Sequence, residues 1–163
     1  MKNGLPSGFS VRDAVVRDIK GIIKIVNSKN NRASFGWVPR VVLEDAIKRQ
    51  KCDGAKSQHR IKVVIRMQGK TEVVVAWTRS YHRRDGVTSL HELGVAEDCQ
   101  SGGIRTFLVN DTIDACRLRG MQTLRLKTVV GLRSNHYYPR FGFEKIGLEK
   151  GRKRELNVYE LSL

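Results

Sequence analysis

Acidic residues are scarce in this chain of 163 residues: 16 Asp and Glu stand against 31 Lys and Arg, for a net charge of +15. A domain this basic is a candidate for binding nucleic acid or another polyanion. Cysteine is scarce too. Cys52, Cys99 and Cys116 are odd in number and lack metal-like spacing, which fits free thiols in a reducing, cytoplasmic setting. No apolar run approaches the roughly 18 residues that cross a membrane. The opening MKNGLPSGFS lacks the apolar core of a secretory leader. The four histidines, His59, His82, His91 and His136, show no helical i, i+3 or i+4 pairing and no carboxylate cluster at ligand spacing, so no metal site is expected. Repeats, low-complexity segments and linkers are also missing. One domain over residues 1–163, long enough to bury its own core, is the expectation.

What is present is a clear succession of elements. FSVR (9 to 12) reads as a first strand. Val15, Ile19, Ile22, Ile23 and Val26 then share one helical face, predicting a helix from about Asp13 to residue 28. A loop, NSKNNRASFGWVPR, precedes a second helix from Arg40 or Val41 to about Lys51. IKVVIRM, TEVVVAWTRS and VTSLHELGV are β-branched runs joined by QGK and by a segment with an Asp85-Gly86 pair, a three-stranded meander. After the glycine turn at 102 and 103, Ile104, Phe107, Leu108, Thr112, Ala115 and Cys116 line a helix ending near Gly120. TLRLKTV is a strand, SNHYYPR a short helix stopped by Pro139, and FEKIGLE and ELNVYELSL are two closing strands around the basic turn KGRKR. The order β-α-α-β-β-β-α-β-α-β-β gives an α/β (α+β) fold with a mixed, mostly antiparallel sheet and helices on its faces.

The strand–glycine turn–helix unit around HELGVAEDCQSGGIRTFLVN makes an anion site on physical grounds. A helix N-terminus offers backbone N–H groups without partners and partial positive charge, and glycines let an anion approach that backbone. That unit, the element order and NHYYPRFGF together resemble the Gcn5-related N-acetyltransferase superfamily. Its glycine motif runs Arg or Gln, two residues, Gly, one residue, Gly or Ala. Here Gln100 and Gly103 match, and Arg105 stands where a small residue is usual.

The resemblance implies an acyl-CoA-dependent N-acyltransferase using acetyl-CoA. The backbone of Gln100, Ser101, Gly102, Gly103, Ile104 and Arg105 would hold the coenzyme A pyrophosphate. Leu93, Gly94 and Val95 would pair with the pantetheine arm, and Asn135 would offer it an amide contact. Tyr138 would protonate the departing thiolate, with Tyr137 packing before it. A phenol stays protonated at neutral pH and suits that role. Glu92, among Leu90, Leu93 and Val95, is the candidate acceptor for the amine's proton. In a regular strand His91 would then face the other way, a rule a bulge would relax. Arg105 is expected to leave the turn toward solvent and pair with a phosphate, the other reading being a turn that no longer binds coenzyme A well.

The acceptor side should be walled by the N-terminal helices and their loop. Residues 1 to 80 hold 17 basic and 6 acidic side chains, and the loop sets Arg32, Phe35, Trp37 and Arg40 close together. Cations interleaved with aromatics match phosphate pairing plus base stacking, as well as plain packing under the second helix. Three readings stay open: acylation of a small amine or protein, acylation of nucleic acid such as tRNA or DNA, or a basic binding module that keeps only the fold. A homodimer is compatible with all three.

Overall fold

The computed structural model describes residues 4–163. Seven strands form one sheet: β1 (Phe9–Asp13), β2 (His59–Gln68), β3 (Thr71–His82), β4 (Val87–Val95), β5 (Thr123–Val129), β6 (Glu144–Lys150) and β7 (Glu155–Ser162). Their spatial order is β1-β2-β3-β4-β5-β7-β6, antiparallel throughout except between β4 and β5. Three α-helices accompany them: α1 (Ile19–Val26), α2 (Arg40–Asp53) and α3 (Ile104–Leu118). Among the described residues no helix is long and apolar enough to cross a membrane. The mixed, mostly antiparallel sheet with helices on its faces is the architecture the element order implies.

Both faces of the sheet are covered, which is why β2 and β3 read as nearly unbroken apolar runs. Ile61, Val63 and Trp77 meet Ile19, Ile22, Leu43 and Ala46 of α1 and α2. Val64, Val75 and Val95 meet Ile104 and Leu108 of α3. A third cluster joins Val109, Ile113 and Cys116 of α3 to Leu90, Leu124, Leu126, Tyr138 and Phe143.

Three local expectations change. The first helix begins later, at Ile19, because the buried Asp18 fixes a separate 3-10 turn at Val16–Asp18. Its carboxylate accepts the Val15 N–H at 2.8 Å and is gripped by Arg12 at 2.7 and 2.9 Å. On α3 the deeply buried face includes Val109 and Ile113, whereas Phe107 and Ala115 lie only partly buried. The helix lies over β3 and β4, and its second half reaches Leu90 and Leu124, so the residues meeting them are the ones covered. Finally, the segment after β5 is two 3-10 turns, Arg133–His136 and Tyr138–Phe141. Pro139 sits at the start of the second turn, where its missing N–H costs nothing, and does not terminate it.

Candidate active site

The central feature is where two strands part. β4 and β5 pair in parallel over only four positions, Val87↔Thr123 to Leu90↔Leu126. Immediately beyond, β4 bulges against β3: Arg79 faces Glu92 and Ser80 faces Leu90, leaving His91 as the extra residue. A bulge bends its strand, and here the bend opens a wedge. From His91 onward β4 has no strand partner on the β5 side, so its edge there is open to an extended ligand except at Val95, whose carbonyl is already taken by Asn31 and Gln100. The wedge has a volume of about 70 Å³. Leu90 to Leu93 line it from one strand, Leu126 to Val129 from the other, with Phe35, Arg105 and Tyr138 closing it.

The glycine turn lies at the end of this wedge. Gly103 holds φ +82°, a left-handed conformation that strains any side chain, and immediately precedes α3. No side chain caps the helix, and no acidic residue lies in its first turn. An added Cβ at Gly103 would meet nothing within 4 Å, so space is open above the free N–H groups. The partial positive charge of this uncapped helix start suits an anion. Gln100, the other motif residue, turns away. Its amide donates to Asn31 Oδ1 and to the Val95 carbonyl, each at 3.2 Å. Asn31 is buried and donates to Val95 at 2.9 Å and to Ile25 at 3.2 Å, so this pair braces the turn against the N-terminal loop. Asn31 carried no signal in the sequence beyond being one polar residue in a polar loop.

Arg105 does not leave toward solvent as expected. Its guanidinium lies over the Tyr137 ring, 5.4 Å from the centroid, and lines the wedge. Tyr137 is fixed in turn by a 2.9 Å hydrogen bond between its hydroxyl and Thr106 Oγ1. The cation that replaces the usual small residue is therefore stacked on an aromatic ring, with its charge still facing the wedge.

Tyr138 is 8% exposed, its ring held edge-on against Tyr137 (5.6 Å) and Phe143 (5.8 Å). Its hydroxyl has no hydrogen-bond partner among the described residues, yet is not among the polar atoms sealed from solvent. Burial pushes its pKa up, against a smaller opposing effect of Arg105. The phenol therefore keeps its proton at neutral pH.

The other expected residues are placed as follows. Glu92 lines the wedge, but its surroundings are not the apolar ones expected: Arg79 binds it through two hydrogen bonds of 2.7 Å each, both partners being 14% exposed. Charge-assisted bidentate pairs of this kind are strong and fix geometry. The bulge brings His91 to the same wedge, where the residue stays exposed overall while desolvation of its ring against the neighbouring strand, with Arg79, His59 and Lys127 acting the same way, lowers its pKa. The imidazole is neutral at physiological pH. Asn135 has no amide left for a ligand. Its Nδ2 donates to the Val129 and Leu132 carbonyls at 2.9 Å each, and its Oδ1 accepts from Thr128 Oγ1 and Asn157 Nδ2. It ties the segment carrying Tyr138 to β5 and β7. Of the loop residues, Phe35 stacks on Trp77 (6.0 Å, 23°) and forms a wall of the wedge. Arg40 pairs with Glu44 on α2 at 2.6 Å. Arg32 and Trp37 are exposed, Trp37 at 82%.

A parallel pair that parts at a bulge, beside an uncapped glycine-led helix, agrees with the family comparison. The model of the acetyltransferase (GNAT) family matches residues 31–143. The chain belongs to this family. As a GNAT acetyltransferase it takes acetyl-CoA as its acyl donor. Solved structures agree in fold. Ard1 from Thermoplasma volcanium superposes with a TM-score of 0.78 at 12% identity, covering 96% of this chain and 98% of its own. PaiA N-acetyltransferase from Thermoplasma acidophilum, solved in complex with coenzyme A, gives 0.74 at 11% identity, with 95% and 99% covered. The ribosomal-protein-S18-alanine N-acetyltransferase from Escherichia coli gives 0.71 at 15%, with 94% and 93% covered. A search of curated proteins finds no significant match.

Proposed function

We propose that this GNAT enzyme transfers the acetyl group to an amine by direct attack, with Tyr138 as general acid. The amine nitrogen attacks the thioester carbonyl carbon; the C–N bond forms, the C–S bond breaks, and the leaving sulfur takes the Tyr138 proton. The proton lost by nitrogen leaves through water toward Glu92, which Arg79 holds in place. The observation that carries the assignment is the Tyr138 phenol: buried, protonated, without a protein partner, and facing the wedge where β4 and β5 part. The uncapped start of α3 and the free edge of β4 supply binding groups for the donor's phosphates and its amide-bearing arm. The test is transfer from labelled acetyl-CoA into the small-molecule, protein, tRNA and DNA fractions of a cell extract, each resolved by mass spectrometry. Label in none of the fractions, with acetyl-CoA bound, would overturn the reading.

A further inference from the structure

Two loops far apart in sequence are joined at the mouth of the wedge. Arg154, in the turn between β6 and β7, donates to the Ala33 carbonyl at 2.6 Å and to the Phe35 carbonyl at 3.5 Å. The turn KGRKR is thereby fastened to the α1–α2 loop at the residue that walls the reacting space. Residues 27–40 and 150–154 hold seven cations between them and no Asp or Glu. Among the described residues, Arg40 alone of the seven forms an ion pair, with Glu44. The carboxylates nearby are engaged: Glu97 accepts the Asn30 N–H at 2.7 Å, Glu149 pairs with Lys127, and Glu92 with Arg79. Glu155, exposed at the foot of the turn, is the exception.

A mouth of this sign repels a polycationic acceptor and attracts a polyanionic one. Trp37 indicates which polyanion. Its ring is 82% exposed on the same loop, beside a groove of about 440 Å³ formed with Ile23, Val26, Val38 and Pro39. An exposed indole flanked by arginines can stack an unpaired base while the cations hold its phosphates; an acidic peptide offers nothing flat to stack.

We infer that the joined α1–α2 loop and β6–β7 turn form a binding site for single-stranded nucleic acid, and that the acceptor amine is carried on such a strand. The second half rests on the transferase reading; the first does not. The phosphates meet Arg32, Arg152 and Lys153, the base meets Trp37, and the strand end points past Phe35 into the wedge.

The test is fluorescence anisotropy with the full chain, a fluorescein-labelled single-stranded RNA 20-mer and a 20-residue polyglutamate peptide, across a salt series. RNA binding is expected to weaken steeply with salt, by a log–log slope of about −0.7 per phosphate contacted. In R152E/K153E it is expected to fall at least tenfold with a shallower slope. Trp37→Ala should weaken RNA at least fivefold and leave polyglutamate unchanged. Polyglutamate binding as tightly as RNA, or RNA affinity unaltered in R152E/K153E, would overturn the proposal. Melting temperature and acetyl-CoA affinity, both expected unchanged, show that the variants are folded. RNA binding without acetyl-CoA binding in the parent protein would strike the transferase reading and leave the RNA site standing.

Discussion

Arg105 stacks its guanidinium on Tyr137, and Tyr137 hydrogen-bonds Thr106 one residue further along α3. The cation, the ring and the helix start form one unit, so removing the cation affects both stability and anion binding. Arg105→Ala should cost about 1 kcal/mol of stability through the lost cation–π contact. It should also weaken acetyl-CoA binding about fivefold through the lost charge. Arg105→Lys should recover most of the affinity but less of the stability, since an ammonium does not stack as a guanidinium does. Calorimetric titration and thermal denaturation read the two effects separately; unchanged affinity in Arg105→Ala would remove it from the phosphate site.

Tyr138→Phe keeps the ring that packs against Tyr137 and Phe143 and deletes only the hydroxyl proposed as the acid. The expected result is a fall in kcat of about a hundredfold with KM for acetyl-CoA nearly unchanged. Equal turnover by the variant would mean that the sulfur takes its proton from water.

Gly94 is held to glycine by its neighbours. A Cβ there would come within 2.8 Å of Trp77 Nε1 and 2.9 Å of Phe35 Cζ. Gly94→Ala should therefore destabilise by about 1–3 kcal/mol, a fall in melting temperature of several degrees for a chain of this size. Because Phe35 walls the wedge, KM should rise as well. A variant as stable as the parent would show that the Phe35–Trp77 stack can slide.

These residues show what was legible beforehand and why. Gly103 is readable because a left-handed backbone favours glycine, and Tyr138 is singled out only by the resemblance of NHYYPRFGF to the family, the structure setting it on the wall of the wedge. The seven strands were readable because β-branched runs bounded by turn residues have few other uses. Asn135 is expected to face the pantetheine arm because an amide's type does not reveal which partner it meets; for Gln100 only the backbone is expected to bind, and its side chain carries no sequence signal of its partner. Asn135 is satisfied by the Val129 and Leu132 carbonyls, Gln100 by Asn31 and Val95, contacts that depend on loops folding back. The Arg79–Glu92 pair was hidden for a related reason: cross-strand partners depend on register, and the bulge at His91 shifts it. Arg105 was read outward because Tyr137 lies 32 positions away in sequence and gave no sign of reaching it.

His82 gives a pH prediction. It is 4% exposed, hydrogen-bonded through Nδ1 to Thr88 Oγ1, and burial, aided by Arg119 and Arg60, lowers its pKa to about 4. The unfolded chain, with an ordinary histidine pKa near 6.5, binds the proton first as pH falls. The stabilisation is complete above about pH 6.5 and is lost progressively as pH drops toward 4, in total roughly 3 kcal/mol. His91 acts in the same direction. Thermal denaturation between pH 7 and 5 should show a falling melting temperature, with a flatter dependence in His82→Gln. An identical dependence in that variant would assign the loss to other groups.

The four-position contact between β4 and β5 has a mechanical meaning. It is the seam between two plates: strands β1 to β4 with the helices α1 and α2, and strands β5 to β7 with the turn that carries Tyr138. Glu92 and Tyr138 stand on opposite plates. Transfer chemistry tolerates little misalignment of its parts, on the order of 1 Å before rate suffers. On the proposed mechanism, the angle at which the plates leave the seam therefore sets the distance between Glu92 and Tyr138. Val87 to Leu90 and Thr123 to Leu126 are the direct strand-to-strand join of the two halves, which α3 and the Arg154 contacts with Ala33 and Phe35 bridge as well.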